Sequence, residues 1–445
     1  MKKQAFGMVA ALFALLVMLP AWAYAADSAY AILYEDGTLV FQNAAAPEPG
    51  RPVKATYEVD LTGGYVWPEA AEGPDTPWIM ESYSIFAVSF ADKISPASTA
   101  YWFYRCGNLE RVDNIENLDT ANVTDMRYMF CGCEALQELD ASGFDTAKVT
   151  NMNETFCGCS ALKKLDVSGF DTANVTDMKG MFWCCGGLTA LDVSHFDTAN
   201  VTTMNFMFAS CDKLAALDVS HFDTANVTDM HGMFYGCAGI TRLDLSHFNT
   251  AKVTTMNDMF CFSGVAALDL SNFDTANVTD MFAMFDSCFK LTTICVSEKF
   301  TTASLTENGG EAQDMFSNSP SLVGGNGTRH SESHTDKEYA RIDTPSTPGY
   351  FTYKAAPVSY KITAAATENG KLSATLSNPG AATVAAAYFD ANGKFVSVRL
   401  QSVPADAGTV ALELSAGAAT ARVMLLDGVF RPLCAAFAAD VGGAA

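Results

Sequence analysis

A motif built on Met-x-x-Met-Phe recurs along this chain, with its first Met at 126, 152, 178, 204, 230, 256 and 281, at spacings of 26, 26, 26, 26, 26 and 25 residues. A strict period in the range of 20 to 29 residues means one small unit copied many times. Each copy must stack on its neighbours to bury an apolar face it cannot bury alone.

One copy, Leu162 to Cys185, reads in two halves. In the first, Leu165 and Val167 alternate with Asp166 and Ser168, which predicts a short strand with one buried side. In the second, Met178, Met181, Phe182 and Cys185 fall at i, i+3, i+4 and i+7, which predicts one face of a short helix. Thr176 stands where a helix N-cap would, as do Thr124, Thr150, Thr202, Thr228, Thr254 and Thr279 in the other copies. Degenerate copies flank the array at Phe103, Cys106 and Leu109 and again at Met315, Phe316 and Leu322, as closing units would. The expected fold is therefore α/β: a leucine-rich-repeat solenoid with a short strand and a short helix per 26-residue repeat.

The run Leu-Asp-Val-Ser-x-Phe-Asp-Thr-Ala-Asn-Val-Thr-x-Met-x-x-Met-Phe-x-x-Cys, from Leu191 to Cys211 and again from Leu217 to Cys237, resembles the BspA-like family of leucine-rich repeat surface proteins. The same repeat is known as a domain of unknown function in mycoplasma lipoproteins. Leu322 to Thr328, Tyr339 to Asp343 and Pro348 to Thr352 look like the closing segment of that family. The resemblance implies a bacterial secreted or cell-surface protein that uses its repeats for adhesion or protein binding, without catalysis by the repeats. Phe170 stands where the general leucine-rich pattern places Asn or Cys, so the usual Asn ladder is not expected.

The flanks are separate modules. Residues 1–25, with Lys2 and Lys3 before the apolar run Gly7 to Leu19 and the small-residue site Ala23-Tyr24-Ala25, read as a signal peptide. Residues 26–100 read as a β-rich N-terminal cap, with strand-like runs Tyr30 to Tyr34 and Thr38 to Phe41 joined by Glu35-Asp36-Gly37. The repeat array with its closing segment takes 101–352. Residues 353–445 read as a C-terminal β-sandwich: Val384 to Phe389, Phe395 to Leu400, Thr409 to Leu414 and Ala421 to Leu426 are candidate strands, with turns at Asp390 to Gly393 and Asp427-Gly428. Together with Arg431-Pro-Leu-Cys434, this module is similar to accessory sandwiches of secreted proteins from anaerobic gut bacteria.

A net charge of −23, from 27 Lys+Arg against 50 Asp+Glu, opposes attraction to nucleic acid or anionic lipid. No later segment is apolar for long enough to span a membrane. No Walker A, Gly-x-Gly-x-x-Gly, His-Glu-x-x-His or Gly-x-Ser-x-Gly motif occurs, so no catalytic residues and no cofactor are assigned. Neither a Leu-Pro-x-Thr-Gly signal nor a lipobox Cys is seen, which makes any surface attachment indirect.

Three ladders of chemically capable residues follow the repeat. Cys133, Cys159, Cys185, Cys211, Cys237 and Cys288 share the apolar position, which favours buried thiols over disulfides between adjacent copies, the alternative. Cys131-Gly-Cys133 and Cys157-Gly-Cys159 lie one period apart; four thiolates for zinc are opposed by the i, i+2 spacing, which does not share a helix face. His195, His221 and His247 read as solvated turns rather than metal ligands, since Gly143, Gly169 and Asn272 fill the same slot. Asp140, Asp166, Asp192, Asp218, Asp244 and Asp269, and a second series from Asp119 to Asp274, read as acceptors of turn amides, with calcium between copies as the alternative. No metal is assigned.

Ligand binding is sought where the copies differ. Tyr128, Trp183, Phe206, Tyr235 and Phe282 are large aromatics outside the repeated apolar set and are the candidate binding residues, the alternative being packing against adjacent copies. The expected partner is an extracellular host or microbial protein. The second reading is a carbohydrate- or cell-wall-binding surface protein in which the repeats are a spacer and the C-terminal module docks on glycan.

Overall fold

The computed structural model describes residues 29–63, 65, 74–305, 313–355, 361–368, 371–377, 382–403, 409–426 and 437–440. The signal peptide at 1–25, the turn at Asp427-Gly428 and the run Arg431 to Cys434 lie outside the described residues. The chain divides into two compact units, Met1–Ala355 and Ala356–Ala445.

The first unit opens with a sheet of five strands. β1 (Ala29–Tyr34) and β2 (Thr38–Gln42) make an antiparallel hairpin, and β3 (Val53–Val59) pairs with the other edge of β1. β4 (Ala87–Phe90) runs parallel to β2, and β5 (Arg111–Asp113) runs parallel to β4, giving the order β3-β1-β2-β4-β5. The apolar side of this sheet closes one end of the repeat core. Phe41 stacks on Trp102 at 5.2 Å and meets Trp78 edge-on at 5.4 Å, while the Trp78 indole N–H donates to the Trp102 carbonyl at 2.6 Å.

The repeats do not form the expected strand and helix. Among the described residues there is no α-helix, only three short 3-10 segments at Ile79–Ser84, Ile115–Asn117 and Lys337–Tyr339, none of them inside a Met-Phe motif. The strand half is also reduced. β6 (Glu138–Asp140) and β7 (Lys164–Asp166) pair in parallel, and β8 (Ala267–Leu270) and β9 (Thr293–Val296) pair in parallel with β10 (Phe351–Tyr353) at the edge. At Leu191, Leu217 and Asp244 the same place carries no strand. The α/β leucine-rich-repeat solenoid is thus overturned in favour of small sheets and turns.

The physical reason lies in where the amides go. In the copy beginning at Met178, the N–H groups of Met181, Trp183 and Cys185 donate three residues back, to Met178, Gly180 and Phe182. Those of Met178, Gly180, Phe182 and Cys184 donate instead to the next copy, at Thr203, Asn205, Met207 and Ala209. An α-helix would spend every amide on itself; consecutive turns release alternate ones for the neighbour. The path needs two left-handed residues per copy, four apart, and they are present: Gly180 (φ 56°) and Cys184 (φ 59°), Phe206 (55°) and Ser210 (56°), Tyr128 (57°) and Gly132 (78°). A left-handed residue cannot sit inside a right-handed helix.

The inward set is nevertheless the one the spacing selects. Met178, Met181, Phe182 and Cys185 are all fully buried. Phe130, Phe156, Phe182, Phe208, Phe234, Phe260, Phe285 and Phe316 stack in one continuous column at 5.6–6.0 Å. Phe170 is buried too and stacks between Phe144 at 6.3 Å and Phe196 at 6.5 Å. Single parallel bridges join Asp125, Asn151, Asp177, Thr203, Asp229, Thr255 and Asp280 in sequence from copy to copy.

Thr176 is not a helix cap. Its amide and hydroxyl both donate backwards to the Thr150 carbonyl, at 2.9 and 3.2 Å, and Thr150, Thr202, Thr228, Thr254 and Thr279 repeat this on the copy before them. The far end of the core is closed by Tyr350 and Phe351, which meet Phe316 at 5.1 and 5.8 Å.

The second unit holds two antiparallel sheets. β11 (Lys361–Glu368), β12 (Lys371–Ser377), β13 (Ala382–Phe389), β14 (Phe395–Val403), β15 (Thr409–Glu413), β16 (Thr420–Leu426) and β17 (Phe437–Asp440) form the orders β11-β12-β15 and β14-β13-β16-β17. Leu372, Ala374 and Leu412 of the first share a core with Val384, Ala386, Val423 and Leu425 of the second. No described helix is long and apolar enough to cross a membrane.

Candidate functional site

Because the motif runs as turns, the positions one, two, five and six residues after its first Met lie outside the buried Met-Phe column, and these are positions at which copies differ. The five aromatic candidates fall into groups along this face. Tyr128, half-buried, stacks on Tyr101 at 4.9 Å and meets Tyr104 edge-on at 5.9 Å. Trp183 and Phe206 are half-buried and stack on each other at 5.2 Å, with the His231 ring 4.3 Å beyond Phe206. Tyr235 meets Phe262 edge-on at 5.8 Å, and Phe262 is 45% exposed. Phe282 stands apart, 37% exposed.

The sequence alone did not single out Tyr101, Tyr104, Phe262 or Glu154. Glu154 and Tyr128 share the second place after the first Met, which was the available signal. The Tyr128 hydroxyl donates to Glu154 Oε1 at 3.4 Å. Burial pushes the Glu154 carboxyl above the usual carboxylate range, and burial with the nearby Glu154 pushes the Tyr128 phenol up. A Cβ on Gly180 would come within 2.8 Å of Glu154 Cγ, so the glycine in the next copy makes room for this side chain.

The cysteines divide by which way the turn points them. Cys133 and Cys159 face the core and donate to the carbonyls of Phe103 and Phe130 at 3.3 and 3.2 Å; Cys185, Cys211, Cys237 and Cys288 do the same one copy at a time. Burial holds these thiols well above their ordinary range. Cys131 and Cys157 face the other way, each 9% exposed, beside Glu154. The Sγ atoms of these two and a carboxylate oxygen of Glu154 lie within 4.8 Å of one another. Cys131 and Cys157 border a cavity of about 490 Å³ that is also lined by Tyr83, Tyr104, Arg105 and Glu134. The four-thiol grouping weighed from Cys131, Cys133, Cys157 and Cys159 is therefore not assembled.

The Asp ladders are taken up locally. Asp140, Asp166, Asp192, Asp218, Asp244 and Asp269 each accept the amide of the Ser two residues on, at 3.0–3.2 Å. Asp119, Asp145, Asp171, Asp197, Asp223 and Asp274 accept the amide of the Ala two residues on, at 2.9–3.2 Å. His195 and His221 place Nε2 2.9 Å from the carbonyls of Val167 and Val193, and His247 Nδ1 lies 3.1 Å from Ser246 Oγ.

Residues 97–215 and 185–300 match the family model described as Mycoplasma protein of unknown function, DUF285. The two DUF285 matches overlap and together run from 97 to 300, so all seven copies of the motif and the whole outward face lie in the DUF285 region. No curated protein matches the chain.

Proposed function

We propose that this chain is an exported, BspA-like, non-catalytic binding protein that uses the outward face of its repeats to hold an extracellular protein. The observation that carries this reading is the row of partly exposed aromatics, from Tyr128 through Trp183, Phe206, Tyr235 and Phe262 to Phe282, at positions where the copies differ. Aromatic side chains with one face packed and one face wet are favoured as anchors at protein interfaces, because they bring area at small entropic cost. The net charge of −23 favours partners with basic patches.

The test is binding of the full chain to arrays of extracellular-matrix proteins and of glycans at roughly 150 mM salt, which screens charge-driven contacts. Saturable binding to a protein that weakens by about tenfold or more in Trp183→Ala and Tyr235→Ala, with unchanged circular dichroism, is the expected result. Retention on glycan that neither substitution alters would sink the reading and move the function to the second unit.

A further inference from the structure

Among the described residues Glu154 makes no ion pair, although it is largely buried. Its donor neighbours are two thiols and a phenol, Cys131, Cys157 and Tyr128, while the charge of Lys179 acts on the carboxyl without forming an ion pair. The turn path holds it there at φ 50°, left-handed backbone that a non-glycine residue rarely adopts, and Gly180 leaves the space its side chain fills. A buried carboxyl among soft donors, with no guanidinium or ammonium bound to it, is arranged as a cation site would be.

The donor set states which cation. Two sulfurs and one oxygen suit a thiophilic divalent ion, whereas magnesium and calcium take oxygens throughout. Around zinc, bonds of about 2.3 Å to sulfur and about 2.0–2.2 Å to oxygen put tetrahedral ligand atoms roughly 3.5–3.8 Å apart. The three donor atoms already lie within 4.8 Å of one another, so rotation about side-chain bonds closes the difference. Three protein ligands leave a fourth position, and here it opens on the cavity lined by Tyr104, Arg105 and Glu134.

We propose that Cys131, Glu154 and Cys157 form a binding site for a zinc-class divalent cation, with the fourth coordination position facing that cavity and held by water or by a donor from a bound ligand. Binding releases the two thiol protons to solvent and leaves both sulfurs as thiolates. The core-facing Cys133 and Cys159 take no part, since their S–H groups are engaged with carbonyls of the preceding copy. The proposal is independent of the protein-binding reading.

The experiment uses the full chain, reduced and stripped of metal. Titration with Co²⁺, followed by zinc competition, is expected to show thiolate-to-cobalt charge transfer saturating at one ion per chain. Changes beyond the direct ligands of such sites already cost 10- to 100-fold in affinity, so Cys131→Ser and Cys157→Ser are expected to weaken binding by about 100-fold or more, and Glu154→Gln by about tenfold or more. Should a variant fail to fold, the unaltered chain gives a second readout: zinc should protect Cys131 and Cys157, mapped by peptide mass, from alkylation. Lack of stoichiometric binding, binding that survives both serine variants, or recovery of Cys131 and Cys157 as a disulfide from the unreduced protein would each overturn the proposal.

Discussion

The Phe206 ring lies over Gly232 of the next copy, where a Cβ would come within 2.4 Å of its Cε1. Gly232 also holds φ +57°. Gly232→Ala therefore meets two costs, about 1–2 kcal/mol for the left-handed backbone and about 1–3 kcal/mol for crowding the ring. Its denaturation midpoint is expected to fall accordingly, and to recover in part when Phe206→Ala removes the ring. Equal losses in both backgrounds would show that only the backbone matters. All five Trp of the sequence fall within residues 1–355, the first unit, and residues 356–445 hold none, so Trp fluorescence follows unfolding of the first unit.

Neighbouring residues on opposite sides of the turn should behave differently. Phe182 is fully buried between Phe156 at 5.9 Å and Phe208 at 5.7 Å, whereas Trp183 faces outward. Phe182→Ala is expected to cost about 3–5 kcal/mol. Trp183→Ala is expected to cost less than half of that in the same urea titration, and comparable losses would place Trp183 in the core rather than on the face.

The contrast shows what was legible beforehand. Side-chain pattern determines which residues are buried, and Met178, Met181, Phe182 and Cys185 went inward as their spacing requires. The backbone that takes them there was misread, because a 3.6-residue helix and a run of turns with left-handed residues at the second and sixth places after the first Met bury the same set. The clue was Gly132, Gly158, Gly180, Gly232 and Gly236, glycines that share the left-handed places of the motif. Phe206 and Glu154 obscured it, since nothing in a lone aromatic or acidic residue announces positive φ. The Cys131, Glu154 and Cys157 cluster was hidden for the same reason: helix geometry sets Cys131 apart from Glu154, whereas stacked turns bring donors from adjacent copies together.

The Thr of the Phe-Asp-Thr turn carries a contact that composition does not reveal. Thr224, fully buried, donates its hydroxyl to the Asn249 carbonyl at 3.0 Å and accepts the Asn249 amide at 2.7 Å. Thr224→Val keeps the shape and strands both groups, so a loss of about 1–3 kcal/mol is expected, with Thr224→Ser retaining most of the stability. Hydrogen exchange at the Asn249 amide should accelerate in the Val variant alone. Unchanged exchange would mean that water replaces the hydroxyl.

Asp343 ties together the closing segment and gives stability a pH dependence of predictable sign. It accepts the amides of Asn326 at 2.8 Å, Thr328 at 2.9 Å and Gly349 at 3.4 Å, and the Thr328 hydroxyl at 2.7 Å. Burial by itself would raise its pKa, but the Thr328 hydroxyl and these amides outweigh burial and hold the carboxyl below its ordinary 3.8. A carboxyl whose pKa is depressed by folding binds its proton more readily in the unfolded chain. Its contribution is complete above about pH 5 and is lost as pH falls through the ordinary and then the folded value. Asp343→Asn should lower the unfolding midpoint at about pH 7 and about pH 5 by similar amounts, and the gap to the parent should narrow by about pH 3 and below. The many Asp residues of the repeats titrate equally in both proteins and cancel from the difference. A gap that stays constant down to about pH 2 would show that Asp343 acts through shape and neutral hydrogen bonds rather than through its charge.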